Sequence, residues 1–555
     1  MPPFEDLTYG LGLTGADPAA LTSALAEAGL RVASKPGVLA QSLGELALDE
    51  GAVALRLARG LLGADGEPPL EPGPGDRRFA DRAWSQNPFL RSAAESYLVA
   101  SRWAERTVGV AGLSERKERK ARFALRLLLD AAAPTNQLWL HPGVLKEAID
   151  TGGLSVARGF ANFVEDIVRN GGRPSQVDAS AFEVGRTLAA TPGRVVFRNE
   201  LIELIAYEPR TETVFAQPVL YSPPWVNKYY VMDLAPGRSF VEYAVGQGFT
   251  VLAISYRNPD ESMAELRLDD YLRDGLLAAL DEVAAITGRQ GAHVLGVCLG
   301  GTLTAMALGV LAARGEAERI GSAALVNTLV DFSDPGDVAV FTDEESIARV
   351  ERKTRRRGYL KSSEMAATFT WMRGNDLVWS YVVSSWGLGK RPPAFDVLAW
   401  NADGTRLPAA MHSQFLRACY LENRLSRGEL EVDGTRIDLA RVAVPLYVLG
   451  CERDHIAPWR TTYRTTQLVG GEPRFVLSSS GHIAGMVSPP GSGKGYFWQR
   501  EEMPADPEEW LRSAERKDGS WWEDWSSWAS ARAGERVAPP ALPDGEPAPG
   551  RYVRG

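Results

Sequence analysis

Two regimes of hydrophobic patterning divide the 555-residue chain. Up to about residue 185, apolar side chains recur at the three-to-four-residue spacing of amphipathic helices. Residues 17–33 (DPAALTSALAEAGLRVA) and 36–63 show it first. RSAAESYLVASRWAERTV and ERKARFALRLLLDAA resume it after a Pro/Gly-rich stretch, 63–78, that reads as a mobile linker. From about residue 182, short β-branched runs take over: RVVFR, LIELIAYEP, PVLYSPP, TVLAISYRNP, HVLGV, SAALVNTLV, PLYVLG and RFVLSSS. Helix-length segments such as DDYLRDGLLAALDEVAAITG separate several of them, and this alternation predicts a mostly parallel α/β sheet. One gap interrupts the rhythm. Residues 332–441 are largely helical or irregular and too long for a single crossover, so they read as an insertion above the sheet, where a cap would sit. The expected division is a mostly helical N-terminal domain, 1–185, with mobility expected within 1–76, and an α/β domain, 186–555.

Composition narrows the classes. The chain is 45% hydrophobic and 24% charged, ordinary for a globular protein, and no run of apolar residues reaches the length of a membrane span. A net charge of -9 gives no basic footprint for nucleic acid. The mixed-sign run ERKERKAR, 115–122, reads as a solvated helix face. Three cysteines, Cys298, Cys419 and Cys451, are too few and too scattered for a disulfide framework or a zinc site, which suggests a reducing, cytoplasmic setting. The opening MPPFEDLTYGLGLTG has no basic segment followed by an apolar run, so no signal peptide is expected there. GLGLTG, 10–15, matches a dinucleotide fingerprint in letters but follows no strand. PPGSGKG, 489–495, lacks both the first glycine and the magnesium-holding Ser/Thr of a phosphate loop. Neither predicts a nucleotide site.

The chemistry concentrates in GVCLGG, 296–301. A strand, a tight turn with glycines two before and two after the central residue, and an immediate helix describe a nucleophile elbow. Cys298 would project above the sheet, where the helix N-terminus favours a thiolate and the amide of Leu299 faces a developing oxyanion. Downstream, Asp454 lies just past the strand PLYVLG and His482 just past RFVLSSS. Nucleophile, acid, histidine is the chain order of α/β-hydrolases. His482 would take the proton from Cys298, and Asp454 would orient and stabilise the imidazolium. Of the other four histidines, His293 sits on the elbow strand and reads as packing, while His455 is a rival base beside Asp454. The loop after PVLYSPP is expected either to supply the other half of the oxyanion hole, from an amide within 225–227 with Val226 the candidate, or to serve as a rigid packing corner. Sulfur in place of serine oxygen suits acyl transfer. Thiolate attack on a thioester exchanges one thioester for another at nearly constant free energy, and the acyl group stays activated for an alcohol acceptor.

These residues, and many blocks around them, resemble the polyhydroxyalkanoate synthases, which polymerise hydroxyacyl-CoA into storage polyester. The similarity runs from about residue 77 to the end. It is carried by FADRAWSQNP, APTNQLW, FEVGRTLAATPGRVVFRNELIELIAYEP, PPWVNKYYVMDL, GVCLGG, EMAATFTWMRGNDLVWSYVV, WNADGTRLPAAMHSQFLR, ERDHIAPW, SSGHIAGMVSPP and DGSWWEDWSSW, in the family's order. The resemblance implies an α/β-hydrolase fold with a cap at 332–441 behind a helical N-terminal domain. It also implies an acyltransferase of the single-subunit type acting on (R)-3-hydroxyacyl-CoA. Cys298 would hold the growing chain as a thioester, with His482 as base and Asp454 as its partner. Trp400, Asn401, Arg406 and His412, with Asn227, would lie along the substrate path. No cofactor is implied, since CoA arrives on the substrate and leaves as product, and no metal. The expected setting is a homodimer at the surface of a cytoplasmic polyester granule. A cysteine-dependent thioesterase and a non-catalytic granule scaffold are the alternatives. The stripe Trp521, Trp525 and Trp528, at i, i+4 and i+7, is expected to dock onto the protein body rather than the granule.

Overall fold

The computed structural model describes residues 18–64, 70–73, 76–491, 493 and 495–555. The GLGLTG stretch, much of the linker and two positions of PPGSGKG lie outside the described residues. The chain forms two compact units: one runs to Asp178 and includes Ala367–Pro393, and the other comprises Ala179–Ala366 and Ala394–Gly555.

The first unit is helical, as the spacing predicts: α1 Pro18–Ala33, α2 Pro36–Leu61, α3 Pro88–Val110, α4 Glu115–Ala132 and α5 Leu154–Asn170. Asn87 starts α3 by accepting the amides of Phe89 and Leu90, with Pro88 at the first helical position, where no N–H is needed. Small residues fill one of its cores, Ala24, Ala28, Ala111 and Ala121 between Val32, Val108 and Leu125. The anticipated cap is divided here. Residues 367–393, expected above the sheet, belong to this unit because their aromatic end seats on α5. Trp386 meets Phe163 edge-on at 5.0 Å, and its indole N–H donates to Asp166 at 2.8 Å. Gly159 permits the approach, since a Cβ there would lie 1.9 Å from the Trp386 carbonyl oxygen.

The second unit is built on a ten-stranded sheet. Its strands are β1 Gly193–Arg198, β2 Ile202–Tyr207, β3 Val219–Ser222, β4 Val251–Tyr256, β5 Ala292–Val297, β6 Ile320–Val326, β7 Leu446–Cys451, β8 Pro473–Ser478, β9 Tyr496–Arg500 and β10 Glu515–Asp518. The order is β1-β2-β4-β3-β5-β6-β7-β8-β9-β10. Strands β4, β3, β5, β6, β7 and β8 are mutually parallel, and antiparallel pairs flank them on both sides. The central strands β3, β4, β5 and β7 are buried along their whole length, the continuous apolar run expected of a parallel sheet covered on both faces. Because β5 to β8 run in one direction and in register, their carboxyl ends share an edge. Val297 lies opposite Val326, Val326 opposite Leu449, and Leu449 opposite Val476. The helix leaving β5 is α6, Leu299–Arg314.

The tryptophan helix α7, Trp521–Ser530, is docked as anticipated. Trp521, Trp522 and Trp525 are buried around Phe240, while Trp528 is partly buried beside Tyr447.

Candidate active site

Cys298 occupies the corner between β5 and α6 with φ 50° and ψ -119°, a left-handed conformation that side-chain-bearing residues rarely adopt. Its amide donates to the Val326 carbonyl at 2.9 Å, and its own carbonyl accepts from Gly301 at 3.0 Å and Thr302 at 3.2 Å. The glycines of the box are steric necessities. A Cβ on Gly296 would stand 2.6 Å from the Gly301 Cα, one on Gly300 2.2 Å from the Ser222 carbonyl oxygen, and one on Gly301 1.9 Å from Thr328 Oγ1. The corner packs this closely against its neighbouring segments and leaves the thiol partly exposed at the sheet edge.

Asp454 and His482 meet across the ends of β7 and β8. One Asp454 oxygen accepts the amides of Ile456 and Ala457, each at 2.9 Å, and the other lies 2.5 Å from His482 Nδ1. Cys298 is the other group acting on the ring, and its influence also raises the proton affinity of the imidazole. Burial by itself would lower the proton affinity of His482. The Asp454 carboxylate, with help from Cys298, overrides it and lifts the imidazole well above its ordinary value. The carboxylate that neighbours His455 in sequence therefore faces His482. His293 is a packing residue: it is buried against Ser322 and pushed down to about 4, chiefly by burial and secondarily by Arg532.

Known proteins share these sequence blocks. A family model described as the poly-beta-hydroxybutyrate polymerase N-terminus matches residues 75–244, and an alpha/beta hydrolase fold model matches 221–489. The poly(3-hydroxyalkanoate) polymerase of Methylorubrum extorquens is 44% identical over 89% of this chain and 83% of its own. Poly(3-hydroxyalkanoate) polymerase 2 of Ectopseudomonas oleovorans is 42% identical over 88% of each. The corresponding subunit of Cupriavidus necator is 42% identical over 86% of this chain and 83% of its own. The chain belongs to the poly(3-hydroxyalkanoate) polymerase family. Its second unit has the α/β-hydrolase fold that the sequence patterning anticipates.

In this polymerase, Tyr420 couples electrostatically to Cys298 and belongs to an aromatic group. Trp225, Phe332, Phe415 and Tyr420 form an edge-to-face group with centroid separations of 4.8–5.9 Å. The phenols of Tyr420 and Tyr221 feel the charge of Cys298, which adds to burial in holding both protonated. Leu299, as the first residue of α6, has an amide with no intrahelical acceptor. Beyond β3, Val226 lies in a turn and Asn227 at the bridge that follows it, both partly buried.

The residues anticipated along a substrate path have other engagements. Trp400 is buried and its indole N–H donates to the Lys228 carbonyl at 2.8 Å. Asn227 pairs backbone to backbone with Gly404. Arg406 stacks over Tyr359 at 5.0 Å and donates to the Pro259 carbonyl at 3.3 Å. His412 is buried in a helix, and burial pushes it down to about 4. Asn401 is partly buried at the end of the helix Asp396–Ala402. Sequence reasoning missed a bracket beyond β6. Buried Asn327, at φ 47°, donates from Nδ2 to the His482 carbonyl at 2.6 Å, and the Thr328 hydroxyl donates to the Cys298 carbonyl at 3.2 Å. A polar pair ending an apolar strand was the only signal. Among the described residues no group of three or more His, Cys, Asp or Glu is placed to hold a metal ion.

Proposed function

We propose that this protein polymerises (R)-3-hydroxyacyl-CoA into polyester with release of CoA, through an acyl group carried on Cys298. His482 accepts the Cys298 proton and the sulfur attacks the thioester carbonyl. The tetrahedral oxyanion is met by the Leu299 amide and by an amide of the loop after β3, Val226 being the candidate. CoA leaves as the thiol, taking the proton from His482. The hydroxyl of a second acyl group then loses its proton to His482 and attacks the Cys298 thioester, forming an ester and freeing the sulfur, which regains a proton. Asp454 keeps the imidazole oriented and stabilises its charged form throughout.

The observation that carries this reading is the Asp454–His482 pair, 2.5 Å apart, at the sheet edge that also holds a cysteine on a strained strand-to-helix corner, with Cys298 adding to the proton affinity of His482. Its placement in a chain so similar to named polymerases selects the acceptor: a hydroxyl rather than water. The reading extends to a homodimer acting at the polyester surface in the cytoplasm, with no cofactor beyond the CoA borne by the substrate. An exposed apolar face on α5, comprising Val156, Phe160, Val164, Ile167 and Val168, supports the surface association. No helix among the described residues is long and apolar enough to cross a membrane. The test is incubation with (R)-3-hydroxybutyryl-CoA, following free thiol and recovered polymer together. Stoichiometric release into insoluble polyester is expected. Release into soluble hydroxy acid alone would make the enzyme a thioesterase.

A further inference from the structure

The loop after β3, which carries the second oxyanion amide in the mechanism above, has little regular structure of its own. Residues 225–226 form a turn, and Tyr229–Val231 a single helical turn. One segment of the cap, 400–405, grips it along its length. The Trp400 indole N–H donates to the Lys228 carbonyl at 2.8 Å. The Lys228 ammonium pairs with one Asp403 oxygen at 3.0 Å, and the Tyr230 hydroxyl donates to the other at 2.8 Å. Gly404 pairs with the Asn227 backbone. The Thr405 hydroxyl donates to the Trp225 carbonyl at 3.3 Å. Lys228 is buried, and its ammonium also donates to the Val553 carbonyl, so Asp403 is the anion that neutralises a desolvated cation at the base of the loop.

We infer that Asp403 is a positioning residue for acyl transfer: through Lys228 and Tyr230 it holds the loop 225–228, so that the oxyanion site is complete only while the cap segment 400–405 is seated. The inference rests on the reading that this loop supplies the amide. It gives the residues around Trp400 a task different from lining a substrate path, namely fixing the backbone that stabilises the transition state. An oxyanion donor displaced by a fraction of an ångström loses its preferential hold on the transition state while ground-state binding of the thioester is little changed.

Steady-state CoA release from (R)-3-hydroxybutyryl-CoA, with melting temperature as the folding control, tests it on the full chain. Asp403→Ala is expected to lower kcat by about 10- to 100-fold while KM stays within about threefold. Asp403→Asn offers one oxygen where Lys228 and Tyr230 use two, and no charge against the Lys228 ammonium, so it is expected to recover little of the loss, with kcat still about 10-fold below wild type. Thr405→Val, nearly isosteric, is expected to lower kcat by about fivefold, again without a change in KM. Folded Asp403→Ala with wild-type kcat, or with a rise in KM alone, would overturn the inference. If that variant does not fold, Thr405→Val decides, and wild-type kcat there overturns it equally. Wild-type enzyme that releases CoA without making polymer would sink the polymerase reading, yet leave this comparison, read on CoA release, intact.

Discussion

Two cysteines stand at neighbouring strand ends and have opposite chemistry. Cys298 follows β5 and Cys451 closes β7, on either side of β6. The first is held at φ 50°, is partly exposed and acts electrostatically on His482. The second is fully buried, with regular strand geometry. Burial, reinforced by the nearby Asp454 carboxylate, pushes its thiol far up, against a smaller opposing effect of the Asn327 side chain. Residue type and the carboxyl-terminal sheet edge are shared. Backbone corner, exposure and a histidine partner are not, and these decide whether a sulfur is a nucleophile or a piece of core.

The comparison breaks most visibly at Cys298. Cys298→Ala is expected to cut CoA release by on the order of 10⁴-fold or more, since no other group can carry the acyl chain, while the melting temperature changes little. Residual turnover near wild type would remove the nucleophile from the mechanism. Asp454→Asn comes next, with a loss on the order of 10²- to 10⁴-fold in kcat as His482 loses its orienting carboxylate. The same variant carries a pH signature. His482 binds its proton more tightly folded than at the unfolded value of about 6.5, so the pairing contributes stability fully present below that pH and lost as pH rises through the folded value. The melting-temperature gap between wild type and Asp454→Asn is therefore expected to be widest near pH 6 and to narrow toward alkaline pH. A gap that stays constant with pH would refute the linkage. Smaller again is Asn327→Asp, which replaces the donor to the His482 carbonyl by an acceptor while tolerating the left-handed backbone. About tenfold in kcat with unchanged KM is expected, and a wild-type kcat would reduce Asn327 to packing.

What the sequence disclosed follows the range of the interactions involved. The elbow was legible because its residues are contiguous: Gly296, Gly300 and Gly301 stand at fixed offsets from Cys298, although Gly300 and Gly301 are required by approaches to Ser222 on β3 and Thr328 just past β6. Asp454 and His482 were legible as first residues of note past apolar strands, given that parallel strands share one edge. Asn327 was not, because its role depends on β6 lying between β5 and β7, which no spacing along the chain reports. The division of the cap was hidden for the same reason, since Trp386 finds its acceptor Asp166 220 residues earlier. Trp400 and Arg406 were placed near the substrate from family position alone. Position in a block carries no information about contacts: the Trp400 indole donates to the Lys228 carbonyl and Arg406 to the Pro259 carbonyl.

The smallest expected effect sharpens the comparison most. Cys451 touches the catalytic apparatus from behind: a Cβ on Gly485 would sit 2.4 Å from its sulfur, and Gly485 lies on the short helix that His482 begins. If proximity to the site were enough to make a cysteine functional, Cys451→Ala would be inactive. If exposure and the corner geometry decide, the variant loses a small buried side chain and nothing else. Activity within about twofold of wild type is expected, with stability lower by about 1–2 kcal/mol from the cavity left behind. In native wild-type protein near pH 8, iodoacetamide should then label Cys298 and spare Cys451, whose raised thiol stays protonated behind the His482 helix. Loss of CoA release in Cys451→Ala at preserved melting temperature, or labelling of Cys451 at a rate matching Cys298, would show that the two corners are chemically one site rather than a nucleophile and its packing.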